Sequence, residues 1–349
     1  MSTIEPKKLD INRLASIRRE IIGGLPESQI RESYLRGDQT FPLVIQSLVS
    51  RLDLADWAAE NREAVETKLL KHGAILFRGF NAYTPTDLER FIKSISGEAL
   101  EYRERSSPRS KVSGNIYTST DYPASKEIFP HNEHSYSKTF PLKLFFLCEK
   151  PAQQGGETPI GDCRKILQHI TPEVRERFIQ RKYMYVRNFG DGIGLPWQTV
   201  FQTTDRATVE RYCHGAAIEV EWKDNDHLRT RQVRPAVVTH PKTGELVWFN
   251  HATFFNVSTL DPEIRDALLE EFCEDDLPNN TYYGDGSRIE PSVLEELRAA
   301  YQQEMVSFPW QRGDVLMIDN MLTAHARKSF KGPRSVLVGM SQPYTRAEN

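Results

Sequence analysis

Hydrophobic residues follow a helical spacing in the first third of the chain. Near the start, four apolar residues recur at intervals of three or four positions: Ile11, Leu14, Ile17 and Ile21. This spacing predicts an amphipathic helix that ends at Gly23 and either packs on the domain or contacts a partner. The pattern also predicts a helix over 54–71, a buried strand over 73–80 and a helix over 84–95, which Thr84 caps.

From about Tyr117 the pattern changes to short apolar and aromatic runs separated by turn residues. Five of these runs predict strands: 142–147, 216–222, 236–239, 246–249 and 315–318. The residues at 240–245 have the composition of a turn, which predicts a hairpin between the runs on either side. We therefore expect a β-rich α+β fold, with a helical extension over 1–40 and one domain over 41–349.

The composition is that of an ordinary globular protein, with 349 residues, 39% hydrophobic and 27% charged. A chain of this length buries a large core. Its 45 Lys and Arg nearly balance its 48 Asp and Glu, for a formal net charge of −3. Because no global positive field attracts polyanions, we expect no nucleic acid and no membrane as partner. Small molecules or proteins are favoured instead.

The cysteines and the first residues indicate the compartment. Four cysteines occur without a Cys-x-x-Cys pair: Cys148, Cys163, Cys213 and Cys273. This favours reduced thiols over a disulfide framework or a zinc cluster. The start of the chain lacks an apolar signal core, and no stretch has the length needed to cross a bilayer. We expect a cytoplasmic protein, and we leave open whether it forms a homo-oligomer.

Three residues have the chemistry of a metal site. His131 and Glu133 flank Asn132, and His325 lies far downstream. Two imidazoles and one carboxylate are the ligands of non-haem iron(II) oxygenases, because they leave one face of an octahedral ion open. In an extended segment, positions 131 and 133 point the same way. A His and a Glu two positions apart are more often ordinary surface or core residues of a strand, since a two-residue motif is a weak signal.

Other residues compete for this site or complete it. His251 lies in an aromatic segment, but another protein ligand would close a position that catalysis needs open. An oxygenase that uses an oxoacid must hold the far carboxylate of that co-substrate, and Arg forms two parallel hydrogen bonds with such a group. Arg334 is our candidate, on a strand adjacent to that of His325, although a surface ion pair would also explain it. Thr158 offers a hydroxyl to the same carboxylate.

In this order the residues resemble the TauD/TfdA family of iron(II) and 2-oxoglutarate-dependent dioxygenases. The resemblance depends on His131-x-Glu133, Gly155-Gly-Glu-Thr158, Asp319-Asn320 with His325, and Arg334. Within that family, five segments resemble the SyrP-like amino-acid hydroxylases of nonribosomal peptide pathways: 117–123, 187–190, 194–198, 281–286 and 308–314. The likeness spans about residues 40–342.

The resemblance implies a double-stranded β-helix, which is a jelly-roll or cupin-like core, with flanking helices over 41–349. It also implies Fe(II), with 2-oxoglutarate and O2 as co-substrates, and three metal ligands: His131, Glu133 and His325. Arg334 and Thr158 would hold the distal carboxylate of 2-oxoglutarate. Related halogenases replace the carboxylate ligand by a small residue, so Glu133 implies hydroxylation, with desaturation as the alternative.

Two departures from the family pattern bear on the substrate. Taurine-type enzymes carry a second Arg four residues after the anchor, where this chain has Val338. A sulfonate substrate is therefore not expected. The SyrP-like tryptophan segment differs here at His251, Thr253 and Asn256, so the substrate or its orientation differs. The resemblance implies an amino acid or a derivative, free or held on an aminoacyl carrier protein, in natural-product biosynthesis.

Several polar residues are candidates for supporting roles, and each has a structural alternative. Four are candidates for binding the substrate: Asn115, Ser119, Arg187 and Asn188. Asp319 and Asn320 either position the metal ligands or form a turn. A local basic stripe either meets an acidic carrier domain or is a solvated strand face: Arg229, Arg231 and Arg234.

Two other functions use the same residues. A zinc or manganese hydrolase or isomerase on a cupin-like barrel needs the three ligands but neither O2 nor an oxoacid. A carrier-binding or sensory protein keeps the fold without turnover. The complete ligand set and Arg334 argue against the second.

Overall fold

A large mixed sheet forms the centre of the molecule. The computed structural model describes residues 29–35, 40–101, 109–190 and 194–346. Within these ranges the strands are, in chain order, β1 Ile30–Tyr34, β2 Leu43–Ser47, β3 Ala74–Arg78, β4 Lys111–Ser113, β5 Ile116–Thr118, β6 Ile128–His131, β7 Thr139–Lys150, β8 Gln154–Gly155, β9 Ile160–Asp162, β10 Tyr183–Phe189, β11 Glu219–Trp222, β12 Leu228–Arg234, β13 Val237–Thr239, β14 Leu246–Trp248, β15 Asn279–Tyr283, β16 Val315–Asp319, β17 Thr323–Arg327, β18 Phe330–Lys331 and β19 Ser335–Thr345.

Helices flank the strands over the same described ranges. They are α1 Leu54–Glu60, α2 Arg62–His72, α3 Pro85–Ser96, α4 Cys163–His169, α5 Pro172–Arg181, α6 Trp197–Phe201, α7 Arg206–Gly215, α8 Pro262–Glu271 and α9 Pro291–Glu304. None of them is long and apolar enough to cross a membrane. The helix predicted to end at Gly23 lies outside the described residues.

Two of the sheets in the described chain face each other. The main sheet has the order β1-β2-β3-β16-β7-β19-β5-β4, and a three-stranded sheet has the order β6-β17-β9. Phe146 of β7 contacts His325 of β17, with ring centroids 5.2 Å apart, so side chains of the two sheets meet in the space between them. The expected double-stranded β-helix with flanking helices is thereby confirmed.

A third sheet has four strands in the order β11-β12-β10-β15. It forms no strand pairing with either of the two facing sheets. The predicted hairpin is confirmed, because β13 and β14 pair antiparallel with Val238 opposite Val247. The prediction of a strand over 216–222 was wrong for residues 216–218. They follow the C-terminus of α7 as a turn, where Ala217 has a φ of 51°, and only Glu219–Trp222 is a strand.

Local signals explain the helix boundaries. Thr84 and Asp87 form a capping box at the start of α3, as the sequence predicts. The helix predicted over 54–71 is wrong as a single element, because it is interrupted at Asn61 and forms α1 and α2. The side chain of Asn61 donates to the carbonyl of Trp57 at 2.8 Å, and such local bonds compete with helical backbone bonds.

The beginning of the described chain also differs from the expectation. Residues 30–34, within the segment predicted as a helical extension, form β1 and pair antiparallel with β2 at the edge of the main sheet. The domain boundary at residue 40 itself stays a prediction.

Candidate active site

The structure brings His131, Glu133 and His325 together. His131 ends β6, and His325 lies directly opposite it on β17. One ligand atom from each of the three residues lies within 4.8 Å of the others. The expectation that Glu133 continues an extended segment was wrong, because β6 ends at His131 and Glu133 reaches the cluster from the following turn.

The protonation of this cluster suits a divalent cation. Burial and the charge of Arg109 lower the pKa of His131, against opposing effects of Glu133 and a backbone hydrogen bond. Burial also lowers the pKa of His325. Burial would raise the pKa of Glu133, but Arg109 and the surrounding histidines hold it well below its usual range. Metals bind neutral imidazole and ionised carboxylate, so the donor set fits iron(II).

Hydrogen bonds orient the cluster. The Nδ1 of His131 lies 2.9 Å from the carbonyl of Phe129, which leaves Nε2 for a metal. Asn320 accepts from the backbone N–H of Glu133 at 2.8 Å and donates to the carbonyls of Glu133 and Pro141, each at 2.8 Å. Asn320 is fully buried. It therefore positions the turn that carries Glu133.

Asp319 performs the turn role that the sequence left as an alternative. Its Oδ1 accepts from the backbone N–H groups of Met321 and Leu322, and its Oδ2 lies 3.1 Å from Nε2 of the buried His240. These contacts form the turn between β16 and β17. Asp319 thus acts on the site only through the strand that it helps to start.

Arg109 is a site residue that sequence reasoning missed. Its Nη2 donates to Oε2 of Glu133 at 2.7 Å, and both side chains are buried. The guanidinium therefore contacts the carboxylate of the cluster directly. Within the sequence, Arg109 lies in a polar segment with no metal-binding motif, so only its closeness to Glu133 in space identifies it.

Arg334 lies on the wall of the same cavity as the cluster. Its Nε donates to the carbonyl of Gly156 at 2.8 Å, and among the described residues it forms no ion pair with a carboxylate. Burial lowers its pKa to about 10, so it remains a cation at neutral pH. Gly156 has a φ of 75°, and a Cβ there would lie 2.9 Å from Arg334 Cδ, which explains the glycine.

The expectation that Arg334 and His325 lie on adjacent strands was wrong. His325 lies on β17 of the three-stranded sheet, whereas Arg334 directly precedes β19 of the main sheet. The two residues approach each other because the sheets face one another. Thr158 also lines the cavity, and its hydroxyl accepts from Trp310 Nε1 at 3.2 Å.

The four candidates for substrate binding separate into two pairs. Ser119 and Arg187 line the cavity, and Ser119 lies 3.4 Å from Arg334. Asn115 and Asn188 do not line it. Asn115 donates to the carbonyl of Ala99, and Asn188 donates to two loop carbonyls. Their amides hold the backbone, and a substrate role for these two residues stays a prediction.

His251 lies beside the cluster without joining it. Its ring centroid is 5.9 Å from that of His131, and its Nδ1 contacts the hydroxyl of Ser135 at 2.5 Å. The group of residues that satisfies metal geometry in the described chain does not include it. His251 and two phenylalanines, Phe254 and Phe255, instead form an aromatic wall of the cavity.

The basic stripe is not a free charged surface. Arg229 contacts Asp276 and Arg231 contacts Glu221, whereas Arg234 is buried and donates to the carbonyl of Tyr136. Strand alternation places Arg234 on the face opposite to the other two. The stripe therefore offers little uncompensated charge to an acidic carrier domain.

The cavity extends well beyond the metal cluster, with a volume of about 1180 Å³.

Val338, at the position where taurine-type enzymes carry a second Arg, is buried in the main sheet. An apolar side chain at this position provides no charge for a sulfonate.

Comparison with known proteins agrees with this geometry. The sequence model of the family described as "Taurine catabolism dioxygenase TauD, TfdA family" matches residues 39–341. Dapdiamide synthesis protein DdaC of Enterobacter agglomerans is 40% identical over 285 residues, covering 81% of this chain and 87% of that protein. A clavaminate synthase-like protein of Arabidopsis thaliana is 29% identical over 293 residues, covering 79% of this chain and 83% of that protein.

A solved structure shares the fold. The crystal structure of PvcB from Pseudomonas aeruginosa aligns with a TM-score of 0.54 and 17% identity, covering 91% of this chain and 93% of that one. At this identity the likeness concerns the fold alone. The family match and the identity to DdaC establish that the chain belongs to the TauD/TfdA family and is an Fe(II)/2-oxoglutarate-dependent dioxygenase.

Proposed function

We propose that the protein hydroxylates a C–H bond of an amino acid or an amino-acid derivative in natural-product biosynthesis. In this proposal His131, Glu133 and His325 bind Fe(II), while Arg334, with Thr158, binds the distal carboxylate of 2-oxoglutarate. The observation that carries the proposal is that one cavity is lined by the clustered ligand atoms and by a half-buried Arg334, which has no carboxylate partner in the described chain.

The reaction consumes a substrate R–H, 2-oxoglutarate and O2, and it yields R–OH, succinate and CO2. The metal, when bound, supplies the chemistry that couples the decarboxylation to the oxidation. The residues of the chain supply binding, orientation and exclusion of water. Phe146 and Phe254 contact the rings of His325 and His131 at 5.2 and 4.6 Å, which keeps this side of the cluster apolar.

The size of the cavity bears on the substrate class. A volume of about 1180 Å³ exceeds the range of roughly 300–1,000 Å³ that is usual for small-molecule sites. The co-substrate and a free amino acid would leave space, so an acylated amino acid or a carrier-linked arm also fits. The identity to a dapdiamide synthesis protein supports a place in such a pathway. We also propose a cytoplasmic location and residues 41–349 as the catalytic domain.

An anaerobic titration tests the proposal. Metal-free protein receives Fe(II) and then 2-oxoglutarate, and the weak visible charge-transfer band of the chelate is recorded. We expect Arg334→Met to weaken 2-oxoglutarate binding roughly 100-fold or more, because two charge-assisted hydrogen bonds are lost. Glu133→Ala should abolish hydroxylation.

Controls separate these effects from misfolding. Arg288→Met and Glu295→Ala change exposed residues outside the cavity and should leave the band unchanged. No band in well-folded wild-type protein would contradict the proposal and favour the hydrolase. Wild-type turnover by Glu133→Ala would show that the ligand assignment is wrong.

A further inference from the structure

Arg187 is a further arginine on the wall of the cavity, besides Arg109 and Arg334. Arg187 lies on β10, lines the cavity and is only 8% exposed. Its guanidinium stacks over the ring of Phe189, with Cζ 4.6 Å from the centroid. In the part of the chain that the structure describes, no carboxylate lies within ion-pair distance of it, and it makes no hydrogen bond through its side chain.

Such an arrangement is costly unless a partner is supplied from outside. Burying a charge without a counter-charge is unfavourable, and buried charges in proteins are therefore usually paired. Contact with an aromatic face offsets only part of this cost. The stacking on Phe189 orients the guanidinium but does not neutralise it.

Asn279 adds a second donor beside Arg187. The two residues lie directly opposite each other on the paired strands β10 and β15, and Asn279 also lines the cavity. The hydroxyl of Tyr185 donates to Oδ1 of Asn279 at 2.8 Å. This bond uses the amide oxygen of Asn279, and no described residue accepts from its NH2 group. Arg187 and Asn279 therefore both offer hydrogen-bond donors to the cavity that they line.

A group that only accepts hydrogen bonds matches this pair, and a carboxylate is such a group. We propose that Arg187 and Asn279 anchor a carboxylate of the substrate, an inference that rests on the proposed function. The aromatic residues Tyr185, Phe255 and Phe254 connect this anchor to His131. Tyr185 stacks on Phe255 at 4.2 Å, and Phe254 contacts His131 at 4.6 Å.

The substrate then lies along this aromatic wall with its carboxylate at one end and its reacting carbon at the metal cluster. The carboxylate is either the α-carboxylate of a free amino acid or a carboxylate on the side chain or acyl group of a tethered one. Both sources share the same recognition chemistry. The probes below distinguish them.

The test uses the Fe(II)- and 2-oxoglutarate-loaded protein and three sets of probes. The first is a panel of free L-amino acids and their N-acetyl derivatives, and the second is the primary amides of the same compounds. The third is the N-acetylcysteamine thioesters of aspartate and glutamate. Binding is followed anaerobically by the perturbation of the visible band, and stimulated succinate release is followed in air.

We expect carboxylate probes to bind roughly 10- to 100-fold more tightly than the matching amides, since hydrogen bonds to a charged group are lost in the amide. Arg187→Met should remove this difference, and Arg187→Lys should retain part of it. Arg231→Met is the matched control, because Arg231 lies on the neighbouring strand β12 and pairs with Glu221. It should behave as wild type.

Asn279→Asp gives a result that a purely structural role of Arg187 does not predict. The new carboxylate would pair with Arg187, so the variant should keep or gain thermal stability while losing affinity for carboxylate probes roughly 10-fold or more. Binding of free acids alone assigns the α-carboxylate, and Arg187-dependent binding of the acidic thioesters assigns a distal one.

The proposal is overturned if Arg187→Met binds the acids as wild type does, if amides bind as well as acids, or if no carboxylate probe binds. This failure differs from failure of the proposed function. The Arg187 variants should keep the Fe(II)/2-oxoglutarate band, whereas a wrong function would show as the absence of that band in the wild type.

Discussion

The turn that carries Glu133 and the helix α8 lie on the same cavity but are held very differently. Two arginines from distant parts of the chain donate to backbone carbonyls of that turn: the buried Arg234 to Tyr136 at 2.9 Å, and the half-buried Arg346, just after β19, to Ser135 at 2.6 Å. By contrast, no residue of α8 is buried. Its N-cap, Asp261, accepts a hydrogen bond from Lys126, which also lines the cavity, at 2.8 Å.

The difference indicates a division of labour within one cavity. A metal site needs ligands held closely to a productive geometry, which packing and outer hydrogen bonds provide. A segment with few buried contacts opens at low free energy, as binding loops and lids do. We infer that the metal side is preorganised, whereas α8 adapts to the substrate.

Asn320→Leu should destabilise the preorganised metal side of the cavity and have the largest effect of the three variants. The change removes three hydrogen bonds and leaves buried backbone groups of Glu133 and Pro141 without partners. We expect the free energy of unfolding to fall by at least about 3 kcal/mol in urea denaturation of the metal-free protein. Gln303→Leu, at an exposed site on α9, should change it by less than about 0.5 kcal/mol. A small effect of Asn320→Leu would show that the Glu133 turn keeps its structure without the hydrogen bonds of Asn320.

Arg109→Met should have a moderate effect that appears in metal binding. The variant loses the contact that orients the carboxylate of Glu133, so we expect affinity for Fe(II) or Zn(II) to fall roughly 10- to 100-fold by calorimetric titration. Arg109→Lys should retain part of the affinity, and Lys111→Met, at an exposed position nearby, should match wild type. An increased affinity would instead show that Arg109 competes with the metal.

Lys126→Met should have the smallest effect on global stability. It tests whether the contact with Lys126 restrains α8. The pair with Asp261 is exposed to solvent, so its loss should change the free energy of unfolding very little. Amide hydrogen exchange in α8 should nevertheless become faster than in wild type. Lys93→Met, which breaks the exposed pair with Glu98, is the control and should not change exchange in α8. Unchanged exchange in α8 after Lys126→Met would contradict the inference that α8 adapts to the substrate.

The sequence by itself determined those features that depend on neighbouring residues. The capping box of Thr84 and Asp87 starts α3 at the predicted residue, and the turn after β13 sets the hairpin with β14. Order and spacing of the polar motifs also identified the family. These signals are readable because a cap, a turn or a strand period is decided over a few adjacent positions.

Only the tertiary structure decided which distant groups meet. Arg109 contacts Glu133, Asn279 lies opposite Arg187, and Asn320 holds the backbone of the Glu133 turn. Arg334 and His325 converge from two different sheets. These contacts follow from strand register and from the packing of one sheet on another. Such long-range contacts produce no periodic pattern in the sequence around the residues that form them.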